Sequence, residues 1–372
     1  MRRMARPAKN NAEPACTGAP LQTLTLSRLA RVPLVPLWVA QLATRAKSFE
    51  RNPVIGCRAL NRLGLHAGRV RLAVWAARAR RLRLARLLPA AERQAIDRDG
   101  FVVRHDVMPP QLFLDLVAQV KAYNGIFREL TAGDTIIRHV PTDPRTLAQL
   151  PALRMFLAGD DWRGLLRYVG ARNADPVVRL QVVFNRACMG APDTERVMHC
   201  DSFHPTGKAW LFLTDVGTDT APFVYMPGSH RLTAARLVWQ HRKALEAQRA
   251  SDRPTREGSF RVTAAELKEL GATEPHVFAV PANTLVVADT FGFHARGASA
   301  KPSVRFEIFF DCRRTPFARW SPFDLLSVPA LGWCTRFAWR LRDLLEAVGL
   351  HKNWWRSHTC YGDPLKFPAA DG

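Results

Sequence analysis

The chain has 372 residues, 54 Lys+Arg against 32 Asp+Glu, and a formal net charge of +22. A hydrophobic share of 47% is ample for a packed core and excludes global disorder. No run of about 18 apolar residues occurs, which argues against a transmembrane helix; the longest candidate, Val32 to Ala43, is short and is broken by Pro33 and Pro36.

The first elements lie in the basic part of the chain. Residues 1–90 hold 18 Lys+Arg and two acids, Glu13 and Glu50, for +16. The other 282 residues hold 54 − 18 = 36 basic and 32 − 2 = 30 acidic residues, for +6. Such a quarter suits a nucleic acid, an anionic membrane surface or a targeting segment. Its Arg-rich, acid-poor start also resembles an organelle transit peptide. Residues 1–25, with Pro7, Pro14, Gly18 and Pro20, read as a flexible basic tail. Residues 26–90 alternate Arg with Leu, Ala, Val and Trp and read as a basic helical extension. At about 100° per residue, Arg69, Arg71, Arg81, Arg83 and Arg86 fall all round the wheel, with no clean polar face. That weakens a membrane-surface helix, although long Arg side chains can snorkel. No nucleic-acid recognition motif accompanies the charge, so only non-specific affinity for polyanions is expected. Seven scattered cysteines without a CxxC pair fit free thiols in a reducing compartment. The expected location is cytoplasmic, with residues 1–90 able to meet an anionic membrane surface.

The body begins near Pro89. Residues 89–100 form a short helix ended by Gly100. Phe101-Val-Val-Arg is a strand, Pro110 to Asn124 a helix, and Leu147 to Val169 helical again. Beyond that the hydrophobic period becomes two. Val177 to Asn185, Lys208 to Val216, Phe223 to Met226, Thr284 to Thr290 and Val304 to Asp311 read as strands bounded by turn residues. Leu232 to Ala250 and Ala264 to Leu270 are helical insertions. Short strands after a helical lead-in suggest a mainly β fold, an antiparallel sandwich or barrel with flanking helices. The domain reading is a body over residues 91–320, with a helical insertion near 231–270, and a Trp- and Arg-rich cap over 321–372.

The chemistry is concentrated in Met198-His199-Cys200-Asp201-Ser202-Phe203-His204-Pro205. On a strand, a spacing of two points His199 and Asp201 to one face and Cys200 to the other. An imidazole and a carboxylate there are two ligands of a 2-His-1-carboxylate facial triad for Fe(II). His294, at the end of an apolar strand, supplies the third and leaves positions open for a cosubstrate and O₂. Arg305, 11 residues further on among apolar neighbours, is costly to bury unless it meets an anion. Its guanidinium offers a two-pronged match to the carboxylate of a 2-oxo acid. Glu307 faces the same side and is a rival partner for it. Lys208 faces either solvent or a substrate anion. His204 reads as a hydrogen-bonded pocket wall, with orienting substrate or replacing His199 in a zinc site as its alternatives; His230 reads as structural, and Trp210 as either a core aromatic or a pocket wall.

His199-x-Asp201, the turn Met226-Pro227-Gly228-Ser229-His230, His294 with Gly297, Arg305 and the lead-in Ile96-Asp-Arg-Asp-Gly-Phe-Val-Val together resemble the phytanoyl-CoA dioxygenase family of Fe(II)/2-oxoglutarate oxygenases. The resemblance covers roughly residues 90–315. It implies a double-stranded β-helix (jelly-roll, cupin-like) core, iron ligands at His199, Asp201 and His294, and a 2-oxoglutarate salt bridge at Arg305. It also implies an aromatic wall at Trp210 and a second basic contact at Arg138. Asp201 stands where related halogenases carry a small residue, which favours hydroxylation. Arg296 and the extra His204 depart from the family pattern; with Lys208 they hint at an anionic group on the substrate.

These readings combine into an Fe(II)- and 2-oxoglutarate-dependent dioxygenase that hydroxylates a small organic molecule and releases succinate and CO₂. The alternative is a non-catalytic or differently catalytic metal-binding β-sandwich protein, which has no use for a buried Arg305.

Overall fold

The structure, a computed structural model, describes residues 34–312, 315–317, 344 and 358–368. The expected tail over 1–25 lies outside the described residues, as does most of the expected cap. Among the described residues, eleven strands form two sheets. They are β1 (Phe101–Arg104), β2 (Gly125–Ala132), β3 (Thr135–Pro141), β4 (Val177–Asn185), β5 (Gly207–Phe212), β6 (Phe223–Tyr225), β7 (His276–Phe278), β8 (Thr284–Asp289), β9 (His294–Arg296), β10 (Ser303–Asp311) and β11 (His358–Gly362). The larger sheet runs β1-β8-β5-β10-β4-β3-β2-β11 and the smaller β7-β6-β9. All the strand pairs are antiparallel. His199 extends the smaller sheet by bridging both His294 and Arg261.

Chain order explains the architecture. After β4 the chain crosses to the His199 segment in the small sheet and returns to the large sheet as β5. It crosses again to β6 and β7, returns as β8, crosses to β9 and returns as β10. This alternation is a double-stranded β-helix, a jelly roll closed by helices on one side.

The period of two sorts the side chains. Leu211, Leu285, Val287, Ile308 and Phe310 point outward from the large sheet and join Leu153, Leu165 and Leu166 of the covering helices in one core. Their alternates, Trp210, Phe212, Val286, Ala288 and Phe309, point inward to Phe223, Tyr225 and Phe278 of the small sheet. Burying both faces is why these strands are almost wholly apolar. The glycine that ends the helix Ala90–Asp99 has a second constraint. Gly100 takes φ +90, and a Cβ there would lie 2.5 Å from both His230 Nδ1 and Tyr225 Oη.

The basic extension packs on this body. Helix Leu65–Leu84 buries His66, Val70, Ala73, Val74, Ala77 and Leu84. Three of its arginines turn inward. Arg69 donates to the carbonyls of Leu42, Thr44 and Ala46, and burial lowers its pKa to about 10. Arg80 donates to Ala171 O at 2.7 Å. Arg81 donates to Tyr168 O and Val169 O and pairs with Asp289 at 2.7 Å. The even scatter of Arg round the wheel therefore mixes two populations, one structural and one facing outward. Among the described residues no helix is long and apolar enough to cross a membrane.

Candidate metal centre and cavity

One backbone pairing brings the three expected ligands together. His199 N–H donates to His294 O and His294 N–H donates to His199 O, both at 2.9 Å. Residues paired this way stand directly opposite, so their side chains leave on one face. Their ring centroids are 4.5 Å apart. Asp201 follows two residues after His199 and is anchored by its own N–H to Thr290 O at 3.0 Å. The HxD segment bridges the sheet only at His199, so it is a shorter strand than its pattern suggests. Cys200 points to the opposite side, into a buried cluster with Phe260 and Phe293, as expected.

The ligand atoms of His199, Asp201 and His294 lie within 4.8 Å of one another, all three residues buried. Each imidazole has its Nδ1 at a carbonyl, His199 on Val197 O at 2.7 Å and His294 on Gly292 O at 3.0 Å. A carbonyl only accepts, so Nδ1 of each ring carries a proton, and in the neutral His294 Nε2 presents its lone pair. Both Nε2 atoms are buried without a hydrogen-bond partner. His294 Nε2 lies 3.6 Å and His199 Nε2 4.0 Å from an Asp201 oxygen. Burial lowers the pKa of His294 to about 3 and so keeps it neutral. Two buried imidazole nitrogens beside one carboxylate fit the donor set of a divalent transition metal, with Glu195 3.3 Å from that of His199.

The charges around this centre are partnered in ways the residue pattern leaves open. Lys208, on β5, lies 2.7 Å from Asp201 Oδ2, so it faces the centre and not solvent. Arg305 Nε is 2.7 Å from Glu307 Oε2, and its Nη1 donates to Ala221 O at 2.5 Å. Glu307 thus takes up part of the guanidinium's charge, although neither Arg305 Nε nor Glu307 Oε2 has a well-aligned hydrogen bond. Arg296 is paired with the fully buried Asp193 at 2.8 Å. His204 has Nδ1 on Pro205 O at 2.9 Å, and burial lowers its pKa to about 4. It is a wall residue outside the ligand group. His230 is buried beside Gly100 and is not among the residues lining the cavity.

The ligands open onto a cavity of about 1150 Å³ between the sheets, which Arg305 and Trp210 also line. Trp210 packs on Phe223 with centroids 4.3 Å apart. Arg138 is elsewhere. Its neighbours Ile137 and His139 face the cavity, so the period of two turns Arg138 to the other side of β3. There it pairs with Glu129 at 2.7 Å, donates to Pro364 O and Lys366 O, and lies over Phe184. The structure does not bring Arg138 to the expected cosubstrate site.

Three lining residues went unrecognised in the sequence. Lys47, from the basic extension, donates to the backbone carbonyl of Asp201 at 2.5 Å. Glu195 lies 3.3 Å from His199 Nε2 and from Arg261. Arg128 is buried in the cavity wall. No local motif marks any of them; only the fold brings them to the centre.

No family model matches the sequence, and no match to a curated protein was found. Solved structures give distant likenesses. The epimerase SnoN in complex with Fe³⁺, α-ketoglutarate and nogalamycin RO is 15% identical, covering 61% of this chain and 83% of that one, with a TM-score of 0.42. AviO1 from Streptomyces viridochromogenes Tue57 is 18% identical over 60% of this chain and 94% of that one, with a TM-score of 0.38. HygX from Streptomyces hygroscopicus, with nickel, 2-oxoglutarate and hygromycin B bound, is 13% identical over 60% and 86%, with a TM-score of 0.38. At these values the likeness assigns no activity to this chain.

Proposed function

We propose that the protein is a mononuclear Fe(II)- and 2-oxoglutarate-dependent dioxygenase that hydroxylates a small organic substrate, on the pattern of the phytanoyl-CoA dioxygenase family. The observation that carries this reading is the pair of buried Nε2 atoms, both without a hydrogen-bond partner, facing the Asp201 carboxylate. His199, Asp201 and His294 are the residues to hold the metal. Iron held by such a triad, with 2-oxoglutarate, supplies O₂ activation and oxidation of a substrate C–H bond.

The chain's own residues have separable tasks. Val197 O and Gly292 O fix both imidazole tautomers. Lys208 sets its ammonium 2.7 Å from Asp201 Oδ2 and so partners the buried carboxylate. Arg305 offers its guanidinium to the far carboxylate of 2-oxoglutarate, and Trp210 walls the same cavity. The substrate of this reading carries an anionic group. Nine Lys or Arg side chains line the cavity against six Asp or Glu, an excess of 9 − 6 = +3.

Succinate release under air, measured across a metabolite extract with Fe(II) and 2-oxoglutarate, tests this. Substrate-dependent succinate from the wild type and none from His199→Ala is the expected result. The second reading, a metal-binding β-sandwich with other or no catalysis, draws on the Arg305–Glu307 pair, which leaves little of the guanidinium for a cosubstrate. Metal binding with no succinate from any fraction establishes it instead.

A further inference from the structure

The outward half of helix Leu65–Leu84 has a composition that the body does not explain. At about 100° per residue, the buried residues His66, Val70, Ala73, Ala77 and Leu84 share one arc. Arg69, Arg80 and Arg81 belong to that side and are bonded to the body's carbonyls and Asp289. With them assigned, the opposite arc becomes orderly. Leu72, Trp75 and Leu82 stand at its centre and are 53%, 67% and 79% exposed. Arg71 and Arg78 flank them on one side and Arg83 on the other, all exposed. No acid occurs between Glu50 and Glu92.

We propose that this face docks on an anionic phospholipid bilayer, with Leu72, Trp75 and Leu82 entering the interface and the flanking arginines meeting lipid phosphates. Exposed large apolar side chains are costly in water and gain by entering the acyl boundary. Arg beside them can extend its stem along the apolar surface and leave the guanidinium at phosphate level. A purely electrostatic partner such as nucleic acid rewards the arginines but not two leucines. Residues 34–90 hold 12 Lys+Arg against Glu50 alone, and this excess supplies long-range attraction to an anionic surface. The inward arginines tie this face to the β body, so docking orients the whole protein. The proposal is independent of the reaction assigned above.

The test is co-sedimentation of the full chain with vesicles of phosphatidylglycerol and phosphatidylcholine in equal parts, beside vesicles of phosphatidylcholine alone. The expected result is binding to the anionic vesicles only, weakened about tenfold or more by the double variant Trp75→Asp and Leu82→Asp. Arg78→Glu weakens it further in low salt. Circular dichroism and thermal melting confirm that the variants fold. Equal binding by wild type and double variant overturns the proposal, because the remaining basic residues then suffice. No vesicle binding also overturns it, and loss of a wild-type dimer in the double variant reassigns the face to a second copy of this chain.

Discussion

His199 and His294 are a hydrogen-bonded antiparallel pair whose two N–H···O bonds are both 2.9 Å long. The fold therefore fixes two imidazoles through backbone geometry alone, before any metal is present. Neither ring holds the sheet together, since each ring's hydrogen bond is to a carbonyl two residues away. Asp201→Ala or His294→Ala should leave the fold intact and weaken divalent-metal binding about 100-fold or more. Calorimetric titration with Co(II) reads this directly. Wild-type affinity in both variants would remove these residues from the ligand set.

Arg81 and Asp289 connect the basic extension to the centre. The pair is 2.7 Å apart, with the Asp289 side chain 1% exposed. Asp289 also accepts from Thr206 N and Phe291 N, so it shapes the turn that leads to His294. Removing one partner of a buried pair costs about 3–5 kcal/mol. Arg81→Ala is expected near the lower end, because those two N–H donors remain. Urea unfolding gives the difference; an unchanged midpoint would make the extension an ornament on the body.

Arg305 and Glu307 set opposing demands on one guanidinium. Arg305→Gln should weaken 2-oxoglutarate binding about tenfold or more while metal affinity stays put. Glu307→Gln removes the competing charge and should strengthen 2-oxoglutarate binding. Fluorescence titration of the Co(II)-loaded protein separates the two. If both substitutions leave the cosubstrate affinity unchanged, its carboxylate is held elsewhere.

Two buried imidazoles away from the ligands give a pH signature. Burial lowers the pKa of both His66 and His139 from 6.5 to about 4. The unfolded chain therefore binds more protons than the folded one between these values. Stability is full above about pH 6.5 and falls toward pH 4. Each imidazole contributes a slope of about 1.4 kcal/mol per pH across that window. His66→Leu should flatten this slope in denaturant unfolding followed across pH. An identical slope in variant and wild type would assign the acid loss to other groups.

What the residues reveal in advance divides along physical lines. Strands such as Val177–Asn185 and Thr284–Asp289 are legible because most of their residues are buried and mostly apolar, with Arg179 and Gln181 the main interruptions. The hairpin β2–β3 is not, because Arg128, Glu129, Arg138 and His139 interrupt it and pair across the sheet or with other elements. β7 and β9 are three residues each, too short for a period to register. The expected helix over 147–169 is three helices, broken at Pro151 and at Gly159–Asp161. The grouping of His199, Asp201 and His294 is legible because HxD and a distal His need only one face and one crossing. Arg138 misleads, since a basic residue on a strand says nothing of which face it takes. The inward and outward arginines of helix Leu65–Leu84 are indistinguishable until the body supplies carbonyls for one group.

A metal centre that accepts 2-oxoglutarate is tested most directly by anaerobic addition of Fe(II) and then 2-oxoglutarate, followed by visible absorption. The expected result is a weak charge-transfer band that requires both additions, disappears in Asp201→Ala and His294→Ala, and needs more 2-oxoglutarate in Arg305→Gln. Iron bound with no such band at any 2-oxoglutarate concentration would contradict this centre.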